Sequence, residues 1–63
     1  MKLRELRLSN NLTQLELAKK LNIERTTVTM WELNKSNPTL PMLKKIASVL
    51  NCTIEDLIKE EKR

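Results

Sequence analysis

The sequence predicts an all-α fold of five short helices, and three observations support this. Apolar residues recur at helical spacing along nearly all of the 63 residues. Side chains that cap helix N-termini precede several of these apolar stripes. Asparagines closely follow four of the stripes, in a chain that contains no glycine. Together these signals predict helices at about residues 2–9, 13–21, 24–33, 39–50 and 53–60.

The apolar stripes define four of the five helices directly. Leu3 and Leu6 begin the first stripe. The second, fourth and fifth stripes repeat at the three- and four-residue intervals that place side chains on one face of a helix. Their members are, in chain order, Gln14, Leu17, Ala18 and Leu21; Leu40, Leu43, Ala47 and Leu50; and Ile54, Leu57 and Ile58. Each of these helices therefore has one side suited to a shared core.

Threonines mark three of the predicted helix starts. Thr13 with Glu16 forms a capping box, in which the hydroxyl and the carboxylate each accept a hydrogen bond from a backbone N–H group that the helix leaves free. Thr53 with Asp56 resembles the same device with a shorter acid. Thr39 can cap the fourth helix.

Asparagines mark the helix ends. A helix often ends with a residue in the left-handed conformation, and asparagine is the best tolerated there after glycine. The sequence therefore predicts left-handed or near-cap residues at Asn11, Asn22, Asn34 and Asn51.

The third segment is ambiguous, because β-branched residues fill positions 26–29 and favour strands. As a strand, however, neither alternating set in residues 24–33 would be uniformly apolar. As a helix, Val28, Trp31 and Glu32 share one inward face, so Trp31 is expected to fill the core rather than to stack on a base. The opposite face carries Thr26, Thr29, Met30 and Leu33, flanked by Arg25 and Thr27.

That outward face is unusual for a helix in water, which normally carries Glu, Lys or Gln. Short hydroxyls suit a helix pressed closely against a partner. A threonine can bond to a phosphate or a base edge, and Arg25 has the fork geometry for guanine O6 and N7. The alternative interpretation is that this face merely tolerates threonine.

Composition limits the other functions that this chain could have. It is short enough to be one domain, residues 1–63. A single cysteine excludes an internal disulfide, and without histidine we expect no metal and no cofactor. The absence of histidine, tyrosine and a glycine-rich phosphate loop argues against an enzyme. The net charge of +4, concentrated before residue 52, favours a polyanionic partner, although solubility alone explains such a charge.

No apolar run approaches the roughly 18 residues that span a bilayer, and no secretory signal precedes the first helix. We therefore expect a cytoplasmic protein without a membrane partner.

Residues 3–58 resemble the Cro/repressor type of helix-turn-helix domain (Xre-like). The most specific parts are "LTQLELAKKLNI", "VTMWELNKSNP" and "LKKIASVLNCTIEDL". The resemblance implies a five-helix lambda-repressor-like bundle with a helix-turn-helix at helices 2 and 3, joined by a turn of about three residues, Asn22 to Glu24. The second of these helices would enter the major groove of double-stranded DNA.

The resemblance also implies which positions contact DNA. Gln14, first in helix 2, lies where the family commonly contacts a phosphate and braces the recognition helix. The helix 3 positions that face bases or the groove wall are Arg25, Thr26, Thr27, Thr29 and Met30. The loop that usually touches the DNA backbone corresponds to Lys35, Ser36 and Asn37.

Some positions depart from the family pattern. Asparagines replace the usual glycines at the helix ends. Glu24 replaces a small hydroxyl cap, and Met30 replaces a side chain that could make two hydrogen bonds to a base. Leu8 and Leu15 occupy positions that are usually polar, which indicates extra packing or a contact surface.

Helical periodicity predicts one ion pair. Arg7 lies on the inner side of helix 1 and Glu32 on the inner side of helix 3, and an unpaired buried charge is costly. We expect a structural pair, so that Glu32→Ala destabilises the fold rather than altering base preference.

The leading functional hypothesis is a sequence-specific transcriptional regulator, most simply a repressor, that binds a two-fold operator as a homodimer with half-sites about 34 Å apart. Ile54, Leu57 and Ile58 are the first guess for the dimer surface, and no small-molecule effector domain is expected. The alternative is a protein-interaction module, such as an antitoxin or antirepressor, that uses the same face of helix 3.

Overall fold

A computed structural model describes residues 1–59 and contains five α-helices. They are α1 (Leu3–Ser9), α2 (Gln14–Leu21), α3 (Arg25–Glu32), α4 (Leu40–Val49) and α5 (Ile54–Ile58). The all-α prediction is confirmed, and the predicted bounds differ mainly because they included the cap residues. The predicted end of α5 was wrong: the helix stops at Ile58, since Lys59 is extended at φ −57° and ψ 148°. Residue 60, where that end was placed, lies outside the described residues.

The five helices pack in a closed ring. Helix α1 packs against α3 and α5, α3 against α2, α2 against α4, and α4 against α5. Each helix thus has two main neighbours, and the inward stripes of all five meet in one core.

The core is almost entirely aliphatic. Its members are Leu3, Leu17, Ala18, Leu21, Val28, Trp31, Ile46, Leu50 and Leu57. Trp31 is 5% exposed, so the prediction that it fills the core is confirmed. Across residues 1–59, no helix is both long and apolar enough to pass through a bilayer.

Four helix ends share one backbone design. Asn11, Asn22, Asn34 and Asn51 are all left-handed, with φ between 57° and 60°, as predicted. Each asparagine N–H group donates to the carbonyl three residues back. The next N–H donates to the carbonyl five residues back, as Ile23 does to Ala18 at 2.9 Å. This is the Schellman motif, and here asparagine supplies the conformation that glycine usually provides.

The residue after each asparagine distinguishes one turn from the other three. Leu12, Ile23 and Cys52 are apolar and pack against the core. The remaining turn, at Asn34, has Lys35 at this position, exposed to solvent. The chain beyond α3 is therefore directed outward, whereas the other three turns are anchored to the core by an apolar side chain.

The helix starts follow the predicted caps. Thr13 and Glu16 form the full capping box, with bonds of 3.0 and 2.8 Å. Thr39 and Thr53 each accept a backbone N–H three residues later. Glu24 makes no side-chain cap, so α3 begins without one.

Candidate nucleic-acid interface

Helix α3 divides into a buried side and an open side. Val28 is fully buried, whereas Met30 is 41% exposed. Arg25 and Thr26 are exposed, and Thr27 and Thr29 are half-buried. The side chains predicted to face a partner therefore lie outside the core, on the first two turns of the helix.

The loop that follows α3 starts near Met30, a residue of the open side of that helix. The Lys35 N–H group donates to the Met30 carbonyl at 2.8 Å. Lys35, Ser36 and Asn37 are all exposed. This bond fixes the start of the loop directly beside the open face of α3.

An ion pair joins α1 to α3 behind that face. The Arg7 Nε–H group donates to Glu32 Oε2 at 2.7 Å, and its Nη2 donates to Oε1 at 3.2 Å. A third bond runs from Nη1 to the Leu12 carbonyl at 2.8 Å. The side chains are only 8% and 5% exposed. The guanidinium and the carboxylate therefore form two side-by-side hydrogen bonds, so that each buried charge has an oppositely charged partner.

Gln14 connects this ion pair to the open face. Its Nε2 donates to Glu32 Oε1 at 3.0 Å. Its Oε1 accepts from the Thr29 hydroxyl at 2.8 Å and, more weakly, from Arg25 Nη1 at 3.4 Å. The first residue of α2 thus contacts the beginning, middle and end of α3.

The sequence did not predict this network. It predicted the pairing partners Arg7 and Glu32 from helix faces, and the resemblance assigned Gln14 a bracing role. The bonds from Gln14 to Glu32 and Thr29 depend on how closely α2 approaches α3, which no residue spacing encodes. The sequence feature that could have indicated these bonds is the glutamine within an otherwise apolar stripe.

A second unpredicted contact joins α4 to α2. The Lys45 ammonium donates to the Leu21 carbonyl at 3.3 Å. A cation at a helix C-terminus is favourable because the backbone dipoles leave partial negative charge there. Both Lys44 and Lys45 are exposed, and it is Lys45 whose ammonium stabilises the end of α2.

One of the three residues guessed for the dimer surface was wrong. Leu57 is 0% exposed and belongs to the core, on the helix that packs against α1 and α4. Ile58 is 52% exposed and Ile54 is half-buried. Leu8 and Leu15, which occupy positions that are usually polar in similar domains, are also about half exposed, at 50% and 49%.

Comparison with known proteins agrees with this architecture. A family model described as helix-turn-helix matches residues 3–57. A protein of Archaeoglobus fulgidus named as an uncharacterized HTH-type transcriptional regulator is 46% identical over 56 residues, which cover 89% of this chain and 80% of that protein. The HTH-type transcriptional activator BcrR of Enterococcus faecalis is 40% identical over 60 residues, 95% of this chain but 29% of that longer protein.

The same fold occurs among solved structures. The N-terminal DNA-binding domain of SinR from Bacillus subtilis superposes with a TM-score of 0.84, covering 98% of this chain and 91% of that one at 24% identity. At this identity the likeness shows the fold alone, and the family assignment comes from the sequence matches. The chain belongs to the Cro/repressor-type (Xre-like) helix-turn-helix family of DNA-binding transcriptional regulators.

Proposed function

We propose that this protein binds a specific double-stranded DNA site with α3 in the major groove. The observation that carries the proposal is the open face of α3. An arginine, compact hydroxyls and one thioether lie on the exposed side of a helix whose other side is locked into the core. A helix fits the major groove, and such short side chains let it approach the base edges closely.

Base contacts are proposed for the first two turns of α3. Arg25 would donate to guanine, and its Nη1 bond to Gln14 already orients the guanidinium. Thr26 and Thr29 would contact base edges, and Thr27 the groove wall. Met30 would make apolar contact with a thymine methyl group, since a thioether is a weak acceptor.

Phosphate contacts are proposed on either side of the groove. Gln14 has a second Nε2 hydrogen beyond the one bonded to Glu32, and this hydrogen can reach a phosphate. On the other side lie Lys35, Ser36 and Asn37, which are exposed and begin beside Met30. Backbone contacts of this kind fix register and contribute affinity without distinguishing sequences.

Dimerisation is proposed because one short helix contacts few base pairs. Two copies related by a two-fold axis would double the site, with half-sites about 34 Å apart. Exposed Ile58 beside half-buried Ile54 is the surface we favour for pairing. Arg7 and Glu32 would contribute indirectly, by holding α3 against α1.

Repression is the proposed direction of regulation. Occupying an operator is sufficient to block transcription, whereas activation requires a further productive contact. The similar protein BcrR is named an activator, so the direction needs its own assay. A reporter behind the selected operator should fall in output when the protein is expressed, and a rise would reverse this assignment.

Selection of bound duplexes from a random pool tests the main proposal. We expect a two-fold consensus, and binding that weakens steeply as salt rises, because lysine and arginine displace counterions from phosphates. Arg25→Ala should relax the consensus at one position in each half-site. A pool that yields no consensus, together with salt-insensitive capture of a protein partner, would favour the interaction-module alternative.

A further inference from the structure

A continuous chain of hydrogen bonds runs from the buried ion pair to the open face of α3. Glu32 Oε1 accepts from Gln14 Nε2 at 3.0 Å, and Gln14 Oε1 accepts from the Thr29 hydroxyl at 2.8 Å. Thr29 is half-buried, and the second bond of its hydroxyl, to the Arg25 carbonyl, is solvent-exposed.

The orientation of the Gln14 amide is fixed from both ends. Glu32, as a carboxylate paired with Arg7, can only accept, so the Gln14 amino group must face it. Arg25 can only donate, so the Gln14 carbonyl must face the guanidinium. Turning the amide over would set two acceptors together at one end and two donors together at the other.

This orientation decides where the Thr29 proton lies. Two oxygens 2.8 Å apart need one hydrogen between them, and an amide carbonyl has none. The single Thr29 hydroxyl hydrogen therefore points to Gln14. The other acceptor within reach, the Arg25 carbonyl at 3.3 Å, also belongs to the protein. Only lone pairs of the Thr29 oxygen are left on the outward side.

We infer that the Arg7–Glu32–Gln14 chain makes Thr29 a one-way hydrogen-bond acceptor toward DNA. Its partner is an exocyclic amino group in the major groove, N6 of adenine or N4 of cytosine, and not a carbonyl of thymine or guanine. Gln14 is then a positioning residue that sets the polarity of Thr29. This inference rests on the proposed function and specifies which base group Thr29 contacts.

Every base pair presents one amino group in the major groove, so base identity alone does not test the inference. The test deletes the amino group itself. Selections with the wild-type protein and with Thr29→Val first identify the base-pair position at which only the wild type shows a preference. The adenine there is replaced by unsubstituted purine, or the cytosine by 2-pyrimidinone. Thr29→Ser keeps the hydroxyl and serves as the matched variant.

Removing the amino group should weaken wild-type and Thr29→Ser binding by roughly two- to tenfold, the effect of one hydrogen bond, and leave Thr29→Val unchanged. Replacing the base by its 7-deaza analogue, where it is a purine, should change wild-type and Thr29→Val binding by the same factor, because Thr29 has no hydrogen to donate to N7. Equal losses in the wild type and Thr29→Val on amino deletion would overturn the inference, as would no loss in the wild type. A failure to select any consensus would instead refute the proposed function, and this inference with it.

Gln14→Met tests the positioning role separately. It removes the nearer acceptor of the Thr29 proton, which is then shared between the Arg25 carbonyl at 3.3 Å and an acceptor on the DNA. Affinity should fall for all duplexes through the lost phosphate contact, but the cost of amino deletion should also shrink. A variant that remains folded by urea titration and retains the full cost of amino deletion would exclude Gln14 from setting the polarity of Thr29.

Discussion

Gln14, the first residue of α2, donates a hydrogen bond to Glu32, the last residue of α3, at 3.0 Å. The turn at residues 22–24 already connects the other ends of these helices. The helix-turn-helix is therefore closed at both ends, by the chain at one and by a polar bond at the other. Apolar packing sets the distance between the helices, and this bond resists rotation of α3 about its own axis.

Glu32→Ala should strongly destabilise the fold, by about 3–5 kcal/mol, because it leaves the buried Arg7 charge without its partner. Urea unfolding followed by far-UV circular dichroism measures the loss. Glu5→Ala is the control, since Glu5 is exposed and lies 4.0 Å from Lys2. A loss for Glu32→Ala no greater than that for Glu5→Ala would contradict a structural role. Because Glu32 also bonds Gln14, we now expect any folded fraction to show altered base preference as well.

Asn22→Ala should cost about 1–2 kcal/mol, because alanine pays a steric penalty at φ 60° that asparagine tolerates. Asn22→Gly should remain close to the wild type, since glycine adopts this conformation freely. Thermal unfolding of both variants gives the comparison, with Asn37→Ala as a control outside the left-handed set. Equal stability of the alanine and glycine variants would contradict the backbone argument.

Lys35→Ala and Arg25→Ala should weaken DNA binding in different ways. Lys35→Ala would remove the proposed phosphate contact, so affinity should fall uniformly over sequences and the salt slope should decrease by about 1. Arg25→Ala should relax preference at one base pair at a cost of about 1–3 kcal/mol. Fluorescence anisotropy over a salt series, with exposed Lys59→Ala as the control, distinguishes them. A sequence-dependent loss in Lys35→Ala would remove it from the backbone-contact set.

Leu57→Ala and Ile58→Ala separate the core from the proposed dimer surface. Leu57 is fully buried, so its truncation should cost about 2–5 kcal/mol of unfolding free energy. Ile58 is 52% exposed, and its truncation should leave monomer stability nearly unchanged while weakening self-association. Sedimentation equilibrium with and without operator duplex measures association. Unchanged association in Ile58→Ala would exclude that residue from the interface.

The Cys52 thiol should react slowly with iodoacetamide. Burial, and then the negative charge of Asp56, raise the pKa of Cys52 above that of a free thiol. Since the thiolate is the reactive form, alkylation at neutral pH should be slower than in the urea-unfolded chain, and Asp56→Asn should accelerate it. The Cys52 pKa is lower in the unfolded chain, which therefore releases the thiol proton first. As pH rises above the ordinary thiol value, the free energy of unfolding should consequently fall. Equal alkylation rates in folded and unfolded protein would contradict this assignment.

Local features of this fold were predictable from the sequence because their causes are local. The left-handed asparagines, the Thr13 capping box and the inward face of α3 follow from residue chemistry within a few positions. The Arg7–Glu32 contact was foreseeable because two inward charges must pair.

Other features depend on the packing of distant segments. Leu57 was assigned both to the apolar stripe and to the dimer surface, because a five-residue helix presents too little periodicity to distinguish its inner residue from its outer ones. The bond from Lys45 to Leu21 joins residues of different helices, and exposed lysines elsewhere look the same in sequence. The Gln14 bonds likewise require the distance between α2 and α3, which only the assembled structure supplies.

The exposed Lys35 in the turn at Asn34 makes this turn suited to engineering. Residues 35–37 can be lengthened, exchanged or labelled without repacking the interior, because this turn lacks the inward apolar residue that tethers the other three. Segments from related proteins could be transplanted there to tune the proposed DNA affinity, while the sequence of α3 stays unchanged.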